Sequence, residues 1–193
     1  MKGEARAKHE TLYRKADYLS AELEEVTFIF EECKKEFFKK VSRNKSEPPK
    51  PSVRIAGERL KKELDDLEIE IEDKSDQKGL KGLYRKVMLK SHPDKLIGLS
   101  DPDLKSVYEQ ACSKAMLAMD CGSWYLLVSA AKQVGINDFD ITMERVDMLR
   151  KECKDIENKI ERLKKSIPWI WFHSDDRVKE FCVKQYNKNV NKN

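Results

Sequence analysis

His92 and Asp94 flank Pro93 directly after a stretch rich in lysine and arginine, and their side chains could take part in chemistry. A proline disfavours helical backbone in the residue before it, so we expect a helix to end near His92 and Asp94 to lie in the following loop. No serine or cysteine nucleophile stands at a suitable offset, and no second carboxylate pairs with Asp94, so we expect no catalytic residue. The loop suits charge-assisted hydrogen bonds to a partner, with the Asp94 carboxylate accepting from an arginine.

The residues before this loop predict an amphipathic helix from Gln77 to Ser91. On a helical wheel, the face expected to be buried carries Leu80, Leu83, Tyr84, Val87, Met88 and Ser91. The face expected to be exposed carries Lys81, Arg85, Lys86, Leu89 and Lys90. Because Leu89 is a large apolar side chain among cations, it is either an exposed residue of high helix propensity or part of a contact surface.

The segment from Tyr84 to Lys95 also resembles a known family. It reads YRKVMLKSHPDK, and the second helix and loop of J-domains commonly read YRKLALKYHPDK. The resemblance implies a co-chaperone that binds a DnaK-type 70 kDa heat-shock chaperone and accelerates its ATP hydrolysis, with His92, Pro93 and Asp94 as the trigger. With Lys81, which shares the exposed face, the implied docking face comprises Lys81, Tyr84, Arg85, Lys86, Leu89 and Lys90.

The chain departs from the usual J-domain on both sides of this segment. An acidic helix predicted over 53–73 replaces the usual opening helix with its Tyr-x-x-Leu-Gly motif, and the Asn-Glu-Ala-Tyr stretch after the loop is absent. A helix around Trp124 stands where the family has a basic fourth helix. The whole arrangement, with heptad helices around a divergent unit and a closing Pro-Trp-x-Trp at 168–171, is similar to J-like proteins of large DNA viruses.

Apolar residues recur in heptads in two further segments, which predicts two long helices of the coiled-coil type. The first seam comprises Leu12, Ala16, Leu19, Leu23, Val26, Phe30, Cys33 and Phe37. The second seam comprises Val146, Leu149, Cys153, Ile156, Ile160, Leu163 and Ile167. A seam needs a partner without identifying it, so pairing within the chain, a homodimer and a separate coiled-coil partner all stay open.

Local signals predict the boundaries of the shorter helices. Asp101 is the expected N-cap of a helix that begins at Pro102. Gly122 separates this helix from a short amphipathic one that buries Trp124, and Gly135 is the expected end of the short helix.

These patterns together predict an all-α fold, in which a divergent J-domain helical hairpin is flanked by long coiled-coil-type helices. We expect a heptad helix over 1–44, a proline-rich linker over 45–53 and the J-domain-like unit over 54–136. A second heptad helix over 141–167 is expected to precede an aromatic plug and a polar, frayed tail over 168–193.

The composition limits the classes of function. Charged residues make up 38% of the chain and hydrophobic residues 39%, which is enough for helix seams and one modest core but not for a large enzyme interior. With only 7 glycines and 6 prolines, the composition favours long helices over a strand-rich fold. The net charge of +4 is too balanced to indicate nucleic acid as the partner. A nucleic-acid module would also more often interleave aromatic stacking residues with its cations.

We expect no metal site and no cofactor. The 5 cysteines are scattered without a Cys-x-x-Cys pair or a nearby histidine, which is typical of reduced thiols, and His9 and His173 are isolated and expected to be solvated. The first residues lack the apolar core of a signal peptide, and no run is apolar enough for a membrane span. The sequence therefore predicts a cytoplasmic protein, with association to a virion as the location that the viral resemblance implies.

Two functions from different classes remain open. The first is a co-chaperone that docks through the basic helix and the His-Pro-Asp loop. The second is a structural or assembly protein that retains a J-like hairpin without chaperone activity. Exposure of Lys81, Arg85, Leu89 and Asp94 on one open surface would favour the first.

Overall fold

The computed structural model describes residues 2–43 and 77–190, which are helical apart from short connections. No strand occurs within those two ranges, so the all-α prediction is confirmed for them. The helices are α1 (Lys2–Arg43), α2 (Gln77–Ser91), α3 (Pro93–Leu96), α4 (Pro102–Cys121), α5 (Trp124–Gln133), α6 (Met143–Lys164), α7 (Ile167–His173) and α8 (Asp176–Val190). The predicted linker over 45–53 and the predicted acidic helix over 53–73 lie outside the described residues.

The chain divides into two compact units, and α1 and α6 each contribute residues to both. Among the described residues, the first unit comprises 2–18 and 77–155, and the second comprises 19–43 and 156–190. The described part of the predicted unit over 54–136 therefore shares its unit with the start of α1 and most of α6. The sequence analysis assigned the two heptad helices to segments separate from this unit, because helix signals along a sequence do not report which helices pack together.

In the first unit, α2 packs against both α4 and α5. The buried face of α4 consists of small side chains, which allow neighbouring helices to approach closely: Ala111, Cys112, Ala115 and Ala118. The buried side chains of α5 include four larger ones, Trp124, Tyr125, Leu127 and Val128, besides Ala130 and Ala131. This arrangement buries the apolar face of α2 and leaves most of its other face exposed to solvent.

The helix ends follow the local signals. The Asp101 carboxylate accepts hydrogen bonds from the backbone N–H groups of Asp103 and Leu104 at 3.0 and 3.2 Å, so Asp101 is the N-cap of α4. Gly122 ends α4 with φ = 69°, a left-handed conformation that glycine adopts without strain. These predictions are confirmed because capping depends on residues adjacent in sequence.

The second unit has its own small core. Phe37 and Val41 of α1 are buried with Cys182 and Val183 of α8, and further side chains pack around them: Phe38, Ile167, Trp171 and Tyr186. The prediction that the polar tail frays was wrong for its described part, because α8 extends as far as Val190. Although this segment is rich in lysine and asparagine, Cys182 and Val183 lie about one helical turn before Tyr186, and the three form an apolar stripe.

Most of the predicted seam residues are buried within the single chain. Ala16, Cys33 and Phe37 of the first seam and Val146 and Leu149 of the second are completely inaccessible to solvent. In the first unit, the Cys153 sulfur lies 3.6 Å from the carbonyl oxygen of Leu12, and in the second, Lys164 forms a salt bridge of 2.7 Å with Glu22. Both seams therefore have neighbours within the chain.

Candidate docking surface

The apolar face of α2 fixes the orientation of the predicted docking residues. Leu80, Leu83 and Val87 are no more than 4% exposed, and the Ser91 hydroxyl donates a hydrogen bond of 3.0 Å to the Val87 carbonyl. Because these side chains are buried, the opposite side of the helix must face solvent. The side chains found exposed there are Lys81, Arg85, Lys86, Leu89 and Lys90, whereas Tyr84 is half-buried.

Leu89 is 71% exposed, so nearly three quarters of its apolar side chain is in contact with water. Its neighbours one turn away on the same side include Arg85, so an apolar side chain stands beside a cation. Transferring this leucine from water into a partner would be favourable, by about 1.5–3 kcal/mol for complete burial.

The His-Pro-Asp triplet directly follows the last residue of α2. His92 has extended backbone (φ −61°, ψ 136°) because proline follows it, and Pro93 then begins the single turn of α3. The prediction of a loop at Asp94 was wrong in detail, since this residue belongs to the helical turn. The turn is anchored by Leu96, which is 2% exposed.

The side chains of the triplet remain available to a partner. The His92 Nδ1 atom accepts a hydrogen bond from the backbone N–H of Asp94 at 3.4 Å, so the neutral ring carries its proton on Nε2. The Asp94 carboxylate lies 3.5 Å from the same Nδ1 atom and its side chain is 82% exposed. One donor and one carboxylate are therefore presented together.

An open depression of about 420 Å³ joins the triplet to the outer side of α2. It is lined by Tyr84, Arg85, Met88, Leu89, His92, Asp94 and Lys95. Met88 and Lys95 were not among the predicted site residues. Met88 could have been found from its spacing of four residues from both Tyr84 and His92, which places all three along one side of the helix.

The exposed cations from Lys81 to Lys95, on α2 and α3, fall into two groups. Lys86 and Lys90 donate hydrogen bonds of 3.1 Å to the backbone carbonyls of Asp138 and Val134, respectively. Lys81, Arg85 and Lys95 form no hydrogen bond or salt bridge within the described parts of the chain. The predicted docking face is therefore divided between cations engaged by the fold and cations free to meet a partner.

A second polar cluster lies in the same unit, at the start of α5. The Glu152 carboxylate accepts hydrogen bonds from the Ser123 hydroxyl at 2.6 Å and from the backbone N–H groups of Trp124 and Tyr125 at 2.8 and 3.2 Å. These donors have no partner inside their own helix, so the carboxylate from α6 completes the cap. Burial raises the pKa of Glu152 despite these hydrogen bonds.

His9 belongs to this cluster. The prediction that His9 is solvated was wrong, since it is 1% exposed and its Nε2 accepts a hydrogen bond of 2.9 Å from the Trp124 indole N–H. Burial and, to a smaller degree, the nearby charge of Lys132 lower the pKa of His9. Because the members of this cluster satisfy one another, the arrangement holds helices together and offers no open site.

Two other kinds of site are absent from the described residues. The described ranges contain no group of three or more His, Cys, Asp or Glu side chains that could hold a metal ion. Within the same ranges, no helix is both long enough and apolar enough to cross a membrane. No family model, no curated protein and no solved structure matches the chain.

Proposed function

We propose that this chain is a J-domain-type co-chaperone, which docks on a DnaK-type heat-shock chaperone and stimulates its ATPase. The observation that carries the proposal is the shared depression, in which Leu89 and Arg85 of α2 lie beside His92 and Asp94. Docking on a partner requires the leucine and the carboxylate to be exposed. Here both are accessible on one side of the molecule.

The available groups suit docking by complementary charge. Arg85 and Lys95 carry positive charge without a partner among the described residues, and they would attract an acidic surface and speed the encounter. The Asp94 carboxylate can accept from an arginine, and the His92 Nε2–H can donate. Leu89 would then be removed from water at the centre of the contact.

Stimulation of an ATPase requires no bond to be made or broken by this chain. A bound partner shifts a conformational equilibrium only by as much as its affinities for the two states differ. The triplet would therefore act by binding the hydrolysis-competent state of the chaperone more tightly than the resting state. This explains how a surface without a nucleophile or a metal could accelerate ATP hydrolysis elsewhere.

The arrangement of helices around the triplet adds support. The resemblance implies that the His-Pro-Asp segment connects two helices that pack together, and α2 and α4 do pack against each other on either side of it. Leu89 and Asp94 are also exposed within the single chain, as docking on a partner requires.

The proposal is tested by single-turnover ATP hydrolysis on a panel of purified DnaK-type chaperones. We expect the full chain to raise the rate several-fold with at least one of them, and His92→Gln or Asp94→Asn to abolish the increase. Asp120→Asn is the matched control, because it removes one exposed carboxylate from α4 of the same unit. Failure of the unsubstituted chain with every chaperone, or equal loss in the control, would contradict the proposal.

A further inference from the structure

The connector between α5 and α6 has a fixed backbone next to the basic side of α2. Val134 and Ile136 are 3% and 9% exposed, and Gly135 between them adopts φ = 70°. The backbone N–H groups of Gly135 and Ile136 donate hydrogen bonds of 3.0 and 2.8 Å to the carbonyls of Lys132 and Ala131. The carbonyl of Val134 is therefore held in place by its own local structure.

Two lysines of α2 reach this connector, and they are spaced one helical turn apart. Lys86 and Lys90 donate to the carbonyls of Asp138 and Val134, residues four apart in the connector. The far end of the connector is held by Arg145, which donates to the Asp140 carbonyl. The connector is thus bound to α2 along one edge and to α6 at its end.

A second pair of cations on α2 has the same spacing and no such contacts. Lys81 and Arg85 are also one turn apart and exposed, and neither is bonded to a described residue. The sequence motif gives no reason to separate the two pairs, since all four residues are cations on the exposed face. Only the position of the connector distinguishes them.

We propose that Lys86 and Lys90 are positioning residues, which hold the connector over 134–140 against α2. The charges that meet the partner are then Lys81, Arg85 and Lys95. The second half of this inference rests on the proposed co-chaperone function, whereas the first half concerns the fold alone. Lys86 and Lys90 would then stabilise the fold, although the motif alone suggests that they contact the partner.

The two pairs allow a matched experiment. Lys86→Met/Lys90→Met and Lys81→Met/Arg85→Met each remove two positive charges from the same helix at the same spacing, and both keep an unbranched side chain. Long-range attraction of the partner therefore falls about equally in the two variants. Any remaining difference reports what each pair contacts directly.

Hydrogen exchange tests the positioning role without a chaperone. We expect exchange at the Gly135 and Ile136 amides to accelerate by about tenfold in Lys86→Met/Lys90→Met, because local opening becomes easier. In Lys81→Met/Arg85→Met, exchange at these amides should be unchanged. Unchanged exchange in the first variant, or equal acceleration in both, would overturn the positioning role.

The chaperone concentration that gives half-maximal ATPase stimulation tests the docking charges. It should rise by about tenfold in Lys81→Met/Arg85→Met and by clearly less in Lys86→Met/Lys90→Met. An equal or larger rise in Lys86→Met/Lys90→Met would overturn this assignment of charges. Absence of stimulation by the unsubstituted chain would instead contradict the proposed function, and the exchange result would still decide the positioning role.

Discussion

The outer side of α2 and the cluster at the start of α5 are both rich in polar groups, but these groups are in opposite environments. Around Glu152 and His9 the polar groups are buried and hydrogen-bonded to one another. Around Asp94 and Arg85 they are exposed, and Arg85 has no partner within the described residues. Position in the fold, more than residue type, therefore decides whether a polar group stabilises the chain or is available to another molecule.

The largest effect is expected from breaking the buried region. Glu152→Ala would leave the backbone N–H groups of Trp124 and Tyr125 without their acceptor, which should lower the free energy of unfolding by about 1–3 kcal/mol. Urea denaturation would measure the loss. Glu144→Ala on the same helix is the control, because Glu144 is exposed and should change stability by less than about 0.5 kcal/mol. Equal losses would show that Glu152 is not the cap of α5.

On the outer side of α2, removing a side chain should weaken docking and leave stability unchanged. Leu89→Ala should leave the free energy of unfolding within about 0.5 kcal/mol of the unsubstituted value, because the side chain is already in water. The chaperone concentration that gives half-maximal ATPase stimulation should rise by about tenfold, equivalent to 1.4 kcal/mol. Leu117→Ala is the matched control, since Leu117 of α4 is 54% exposed and lies outside the depression. If Leu89→Ala unfolded at a lower urea concentration and docked normally, Leu89 would be a residue that stabilises the fold and not one that contacts the chaperone.

The smallest effect is a pH dependence of stability that arises from His9. Its pKa is lowered in the folded chain, chiefly by burial, and the charges that act on it are those of Lys132, Glu10 and Arg145. The unfolded chain therefore takes up the proton first, so the contribution of neutral His9 is complete above about pH 6.5 and is lost as the pH falls through the lowered pKa. The expected change is smaller than the effect of removing Glu152.

His9→Gln isolates this contribution, because the glutamine side-chain oxygen can accept from the Trp124 indole without titrating. Thermal unfolding of the two proteins should diverge as the pH is lowered from 7 towards 5, with the unsubstituted chain losing more stability. Parallel curves over this range would show that His9 does not titrate in the way its burial implies.

What the sequence could predict followed from short-range rules. The buried face of α2 at Leu80, Leu83 and Val87, the cap at Asp101 and the helix end before Pro93 depend on neighbours within one or two turns. Such features are visible in spacing and residue type. The same rules predicted which side of α2 would be exposed.

What the sequence could not predict depends on contacts between distant segments. His9 meets Trp124 across 115 positions, and Lys86 meets Asp138 across 52. No periodicity in the sequence encodes either contact. The sequence therefore could not predict that His9 is buried or that the Asp138 carbonyl accepts a hydrogen bond from Lys86. The helical tail was missed for a related reason, because its apolar residues pack on Phe37 from the far end of α1.

Site-specific crosslinking would test whether a DnaK-type chaperone docks on the outer side of α2. A photo-crosslinking amino acid would be introduced at Leu89 or at Leu117, both exposed leucine positions on helices of the first unit. We predict that position 89 crosslinks to an ATP-bound DnaK-type chaperone, that position 117 does not, and that Asp94→Asn removes the crosslink at 89. Crosslinks of equal yield at both positions, or a crosslink at 89 that persists in Asp94→Asn, would contradict docking through this surface.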